Sequence, residues 1–114
     1  LFLNDGCWDG PRLLPDGWVT SSTTPSDPFV NYAPQDEDTP SGYMWWLNAA
    51  RPPPFPREKP FPDVPDDAFL ANGHWGQYIV VIPSLDLVIV RTGDDRNESI
   101  DLNTFIKLAM EVAQ

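Results

Sequence analysis

Scarcity is the first thing this sequence shows. Among 114 residues there is one cysteine, Cys7, and one histidine, His74. A single cysteine closes no internal disulfide, and with one histidine it builds neither a multi-cysteine nor a histidine-based zinc site. Neither metal nor cofactor is expected. Basic residues are also few: seven against seventeen acidic ones leave a formal net charge of −10. That charge repels a polyanion such as nucleic acid, and no lysine or arginine cluster offsets it. Solubility is its plainest use. No segment approaches the roughly 20 consecutive apolar residues of a membrane span. The opening Leu1-Phe2-Leu3 has no charged flank or cleavage-site pattern, so it does not read as a signal peptide. A start inside an apolar run raises the expectation that polypeptide is missing upstream.

What is present suits one small domain. A complete chain of this size buries roughly two-thirds of its unfolded surface, and an apolar share of 41% is ordinary for a globular protein. Fourteen prolines outnumber seven glycines, which implies long irregular stretches with restricted φ. Leu1 to Leu3 read as the end of a helix, stopped at Asn4-Asp5-Gly6 by a residue able to take positive φ. A second short helix is expected from Pro15, with Trp18 and Val19 pointing inward, and Ser21 to Pro25 ending it. Residues 25–41 read as surface loop. The aromatic run Tyr43-Met44-Trp45-Trp46-Leu47 suits a strand, and residues 49–67, with their seven prolines, should hold no regular element.

The clearest pattern comes late. Tyr78-Ile79-Val80-Val81-Ile82 and Leu87-Val88-Ile89-Val90, separated by Pro83-Ser84-Leu85-Asp86, predict an antiparallel hairpin apolar on both faces. Leu102, Phe105, Ile106, Ala109, Val112 and Ala113 follow helical spacing, with Ser99 or Asp101 as cap. One amphipathic helix shields one face of a sheet. Leaving the other bare costs about 1.5–3 kcal/mol per large side chain, so several would rival the stability of a small domain. The fold class that follows is α+β: an antiparallel sheet (hairpin about 77–91, strand about 43–48) packed by a C-terminal helix about 101–112. Further polypeptide, or a second copy, is needed to cover the remaining face.

Candidate chemistry centres on Asn72-Gly73-His74-Trp75-Gly76-Gln77, which leads into the first hairpin strand. Two glycines let the backbone kink and admit close approach of a ligand. A strand approached in this way can offer an N–H to a developing oxyanion. His74 can move a proton near neutral pH. From residue types alone, a loop hydrogen bond for His74 and a core place for Trp75 read equally well. The acidic pairs Asp36-Glu37, Asp66-Asp67 and Asp94-Asp95 read as solvated turns. Arg51 to Arg57, rich in proline, could dock an aromatic groove as polyproline II, but a rigid surface loop is the simpler reading. The tryptophans could form a carbohydrate platform, although Trp18, Trp45 and Trp46 sit at core-like positions. Cys7 reads as a structural thiol.

Four stretches then resemble, in order, the C-terminal end of the serine β-lactamase-like superfamily, the fold of class C β-lactamases and penicillin-binding proteins. The likeness is greatest to the branch of esterases and 6-aminohexanoate-dimer hydrolases. Leu13-Leu14-Pro15-Asp16-Gly17-Trp18-Val19 with Ser22-Thr23-Thr24-Pro25 is similar to that family's "LLPxxWV…ST" segment. Tyr43 to Leu47 resembles its "YGxGWW" strand, and Phe69 to Gln77 its "FxAxGxxGQ" approach to the third motif. Ile82 to Val90 resembles its "xPxxDLVVV" hairpin. The resemblance implies that residues 1–114 are the C-terminal segment of one serine hydrolase domain. No serine here is followed three positions on by lysine, so the family's Ser-x-x-Lys nucleophile and its second motif are expected upstream.

By this likeness no catalytic residue lies in the segment. Gly73, His74, Trp75, Gly76 and Gln77 would form the substrate-binding, oxyanion-side wall. His74 and Trp75 would stand where the family has the lysine and threonine of its third motif. Loss of a fixed cation that grips a carboxylate favours small ester or amide substrates over β-lactams. Family habit favours export. A reading from another class is a non-catalytic binding module using the aromatic and proline-rich surfaces.

Overall fold

The computed structural model describes residues 1–33, 39–97 and 99–113. The elements run α1 (Trp18–Ser22), α2 (Asp27–Asn31), β1 (Trp46–Leu47), β2 (Phe69–Gly73), β3 (Gln77–Ile82), β4 (Leu87–Arg91) and α3 (Leu102–Ala113). The strands form one antiparallel sheet in the order β1-β2-β3-β4, with α3 following it, so the architecture is α+β as expected. Asp36 and Glu37 lie outside the described residues.

The hairpin forms where the β-branched runs predict it. Ile79 pairs with Val90, Val80 with Ile89 and Val81 with Val88. A turn of 3-10 helix, Pro83–Leu85, joins the strands and ends on Asp86 at φ 50. Asp67 secures its start by accepting from the Ser84 N–H at 2.7 Å and hydroxyl at 2.9 Å. β2 is the strand that composition hid. Ala71, Asn72 and Gly73 are poor strand formers, and pairing with β3 from Phe69↔Val81 to Gly73↔Gln77 imposes the extended state on them.

Alternation along the strands sorts side chains onto two faces. On one, Leu70, Val80, Ile82 and Ile89 pack with Val64, Ala68, Ile106 and Met110. Asp101 caps α3 there, accepting from the Thr104 N–H at 3.3 Å and hydroxyl at 2.6 Å, while Ser99 is engaged elsewhere. The helix starts and ends within a residue of expectation, but its buried stripe is shifted. Met110 is buried, whereas Val112 is 88% exposed: two residues further on, it falls on the far side of the helix.

The opposite face is covered over only half its width. Leu47, Phe69 and Val81 lie beneath Phe2, Leu3, Trp45 and Ala49. Phe2 and Phe69 both meet Trp45 edge-on at 4.9 Å between ring centroids, a favoured aromatic geometry. The other half is bare: Ile79, Val88 and Val90 are 44%, 46% and 63% exposed. The expected imbalance between the two faces is therefore present and confined to the β3–β4 half.

Several expectations need correction. Tyr43 to Trp45 is not strand. Met44 takes φ 65, and the Gly42 N–H donates to the Trp45 carbonyl at 3.0 Å, so the chain turns tightly before Trp46. Trp18 does not point inward; it is 43% exposed and packs on Tyr43 at 6.0 Å. The buried residue of α1 is Ser22, because the backbone at Gly42 crosses directly over it and the Tyr43 N–H donates to its carbonyl at 2.9 Å. That helix begins at Trp18, after Gly17 at φ 73, rather than at Pro15. Residues 25–41 are not all loop: α2 buries Phe29 under the Arg51 guanidinium, 4.3 Å from the ring centroid.

Leu1 to Leu3 lead into a turn and form no helix, although the bonds that follow them are those of a helix terminator. The Gly6 N–H donates to the Leu1 carbonyl at 2.9 Å and that of Asp5 to Phe2 at 3.2 Å, with Asp5 at φ 48, the Schellman pattern. Residues 49–67 hold no helix or strand. Arg51 and Arg57 exchange backbone hydrogen bonds at 2.9 and 3.2 Å, closing the proline-rich stretch into a surface loop. Among the described residues no helix is long and apolar enough to cross a membrane.

Candidate functional site

β2 and β3 end where Gly73 pairs with Gln77, and His74, Trp75 and Gly76 form the turn between them. All five residues singled out for the site are thus brought together at one hairpin tip. Trp75 has φ 59 and Gly76 φ 77. A tryptophan in the left-handed region is uncommon and strained, a state that persists only where its surroundings impose it.

Beside the turn, on the face of the sheet that carries α3, lies an open cleft of about 320 Å³. Gly73, His74, Trp75 and Gly76 line it together with Trp46, Asn72 and Tyr78. Across the sheet, Ala71, Gly73, Gln77, Ile79, Val90 and Thr92 line a mostly apolar depression of about 300 Å³. Gly73 belongs to both. The strand beneath it is open at its edge as well: β1 pairs only with Phe69 and Leu70. From Ala71 to Gly73 one alternate set of backbone groups therefore has no partner strand among the described residues. Such an edge can donate an N–H to a carbonyl oxygen or an oxyanion.

The two glycines serve different ends. Gly73 is exposed, and a side chain there would press on Gln77 across the hairpin at 3.2 Å. Gly76 is buried, and its missing side chain makes room for Arg91 and Asp95 rather than for a ligand. His74 is exposed and lies 4.7 Å from the Trp75 ring, centroid to centroid. The Gln77 amide donates to the His74 carbonyl at 3.4 Å.

Neither a protein-family profile nor any curated protein matches this sequence. The site therefore rests on its own geometry. Of the tryptophans assigned to the core, Trp45 alone enters it; Trp46 is 42% exposed at the cleft. The acidic pairs do not act as pairs. Asp66 meets Lys59 at 2.6 Å, Asp67 holds Ser84, and Asp94 meets Arg96 at 2.8 Å. Among the described residues no group of three or more His, Cys, Asp or Glu side chains is placed to hold a metal ion. Cys7 is half-buried and bridges Arg12 through the backbone.

The sequence left Arg91 and Arg96 unmarked and read Asp95 only as part of a solvated turn. Arg91 reaches the turn from the end of β4, and Asp95 and Arg96 from the loop after it; the one sequence signal was the i,i+4 spacing of Arg91 and Asp95. Hydrogen bonds from the Ser99 N–H, then from its hydroxyl and the Ile100 N–H, hold the Asp95 carboxyl below its ordinary range, and the Arg91 charge adds to this. The Thr104 hydroxyl and N–H do the same for Asp101. Both carboxylates therefore stabilise the fold above the unfolded-state value of about 3.9, and that contribution is lost as pH falls through their lowered folded values. In urea unfolding between pH 5 and pH 2, the double variant Asp95→Asn/Asp101→Asn should show a smaller acid-induced drop in midpoint than the parent. An equal drop would remove both residues from the acid response.

Proposed function

We propose that this chain is the C-terminal part of a serine acyl hydrolase. It would supply the third-motif strand and the oxyanion-side wall of a site whose nucleophile lies on further polypeptide of the same protein. The observation that carries the reading is the bare half-face at Ile79, Val88 and Val90, next to an open β2 edge at Ala71 to Gly73. Apolar cover there would finish the core and bring another part of the protein against the turn. The absence of any Ser-x-x-Lys and the family likeness of the four stretches agree with it. Gly73, His74, Trp75, Gly76 and Gln77 form the wall, and small esters or amides are the substrates.

Two measurements test it. A chromogenic short-chain ester should be untouched by this chain alone and hydrolysed by the protein that joins it to its upstream coding sequence. Turnover by the chain alone refutes the reading, as does an upstream sequence without Ser-x-x-Lys. Second, Val88→Lys or Val90→Lys should change the stability of the isolated chain by no more than about 0.5 kcal/mol, as at any exposed site. In the joined protein the same change should cost several times as much, because a buried unpaired charge is penalised. Equal small effects in both would show that nothing covers this face.

A second reading, a non-catalytic binding module, has one observation in its favour. Trp18 and Tyr43 pack with their rings tilted by 55° while 43% and 60% exposed, with Met44 next in the chain at 97%. It predicts an upstream sequence without the nucleophile motif and loss of partner binding on Tyr43→Ala.

A further inference from the structure

The turn that carries the candidate site is gripped from outside its hairpin. Arg91, the last residue of β4, donates from Nη1 to the Gly76 carbonyl, and its Nη2 lies 3.9 Å from Asp95 Oδ2. The Asp95 N–H donates to the Trp75 carbonyl at 2.9 Å. Consecutive carbonyls of the turn are therefore taken by one residue of β4 and one of the loop beyond it. Asp95 is itself immobilised. Its Oδ1 accepts from the Ser99 N–H at 3.1 Å and hydroxyl at 3.0 Å, and its Oδ2 accepts from the Ile100 N–H at 3.2 Å. Those donors immediately precede α3. Arg96 completes the grip, with its guanidinium 4.2 Å over the Trp75 ring and its Nε bonded to Asp94 at 2.8 Å.

Two features set this grip apart from hydrogen bonds at an exposed turn. The first is strain. A tryptophan at φ 59 is strained, so an unrestrained turn would relax away from it. The Asp95 N–H and the Arg96 guanidinium both act on Trp75 itself. The second is space. A side chain at Gly76 would overlap Arg91 Nη1 and lie 3.0 Å from Asp95 Cβ. Glycine at this position, with φ 77, is what lets Arg91 and Asp95 close over the turn. The Asp95 side chain is only 10% exposed although it belongs to a loop.

We propose that Arg91 and Asp95 are positioning residues that fix the shape of the His74–Gly76 turn and tie it to the start of α3. The relevance of that shape to acyl transfer rests on the function proposed above; the conformational claim does not. Asp95 lines neither hollow and Arg91 only the depression across the sheet, so at the cleft beside the turn both act through Trp75 and Gly76.

His74 supplies the readout. It is the only histidine of the chain, so its ring protons are assigned without ambiguity. At 4.7 Å from the indole their NMR shifts carry a ring-current displacement that depends on the turn's shape. In Asp95→Asn, which keeps the side chain's size, that displacement should fall by about half or more. The amide at position 95 should exchange with solvent about tenfold faster, while the core amides of β3 keep their protection. Ser99→Ala, which removes one bond to Asp95, should give a smaller change of the same sign. Arg91→Lys, retaining the charge and a donor, should lie nearest the parent. Parental His74 shifts in Asp95→Asn overturn the proposal, and so does a change seen only in step with loss of protection across β3. Should Asp95→Asn fail to fold, Ser99→Ala decides by the same signal, parental His74 shifts in it overturning the proposal. Failure of the ester assay would remove the hydrolase reading and leave this result standing.

Discussion

Asn48→Ala should lower the unfolding free energy by about 2–4 kcal/mol, among the larger effects of any single change in this chain. Asn48 is fully buried. Its Nδ2 donates to the carbonyls of Phe61 at 3.0 Å, Val64 at 2.9 Å and Pro65 at 3.1 Å. Its Oδ1 accepts from the Phe61 N–H at 2.8 Å. One amide therefore organises the proline-rich segment that enters the core at Val64. Truncation leaves all three carbonyls partnered, since Lys59 Nζ also donates to Val64 at 2.7 Å and the Val64 and Ala68 N–H groups donate to Phe61 and Pro65 at 3.2 Å each, but it orphans the Phe61 N–H. That unmet group costs about 1–3 kcal/mol, and the lost amide bonds to the carbonyls add to it. Asn48→Asp should be worse, because carboxylate oxygens would face carbonyl oxygens. Asn103→Ala is the control: its bonds to Asp63 lie at the surface, and about 1 kcal/mol is expected. Urea unfolding at neutral pH, followed by tryptophan emission, measures all three. A shift for Asn48→Ala no larger than that of the control would show that the segment holds itself.

Ile106→Ala should cost about 2–5 kcal/mol, since it removes the fully buried anchor of α3 and leaves a cavity. The helix has little else to hold it. Ile106 and Met110 are its only buried residues among those described, and Leu102, Phe105 and Ala109 are partly covered. A helix of twelve residues is marginal in water without tertiary contacts. Loss of this anchor should therefore release the helix and expose Val80, Ile82 and Ile89 together, giving one cooperative transition in circular dichroism and in tryptophan emission. Val112→Ala, at a position 88% exposed, should stay within about 0.5 kcal/mol of the parent. An Ile106→Ala chain that loses helix signal while its sheet survives to the parental midpoint would show that α3 is not needed to cover that face.

Legibility differs from element to element, and the differences have causes. The β3–β4 hairpin and α3 were readable because their periodicities span many residues and agree with burial: Val80, Ile82 and Ile89 alternate with Ile79, Val88 and Val90, and α3 repeats its apolar stripe. β2 was not, because Ala71, Asn72 and Gly73 have no strand preference and take their conformation from β3. The aromatic run failed in the opposite sense. Its β propensity from Tyr43 to Trp45 was overridden by the turn through Met44, which lets Tyr43 donate to Ser22. Phe29 lay in a stretch dense with turn formers, yet a single buried ring was enough to bring α2 into the fold.

The candidate site divides in the same way. Gly73, His74, Trp75, Gly76 and Gln77 stand next to one another in the chain, so local reading collected them without a fold. Arg91, Asp95 and Arg96 join them only because β4 runs antiparallel to β3 and delivers its last residue opposite Tyr78, one position from Gln77 and the turn.

By itself the sequence determined the α+β class, the hairpin, the terminal helix, the acidic and metal-poor character, and the surplus of apolar face over available cover. Each follows from composition or from a repeat of two or about 3.6 residues, which local chemistry sets. Only the tertiary structure decided which half of that face stays bare, that Asn48 anchors the proline-rich loop, and that Gly76 is glycine because Arg91 and Asp95 occupy the space beside it. Those outcomes depend on which distant backbones touch, and contact between residues far apart in the chain leaves no local pattern to read.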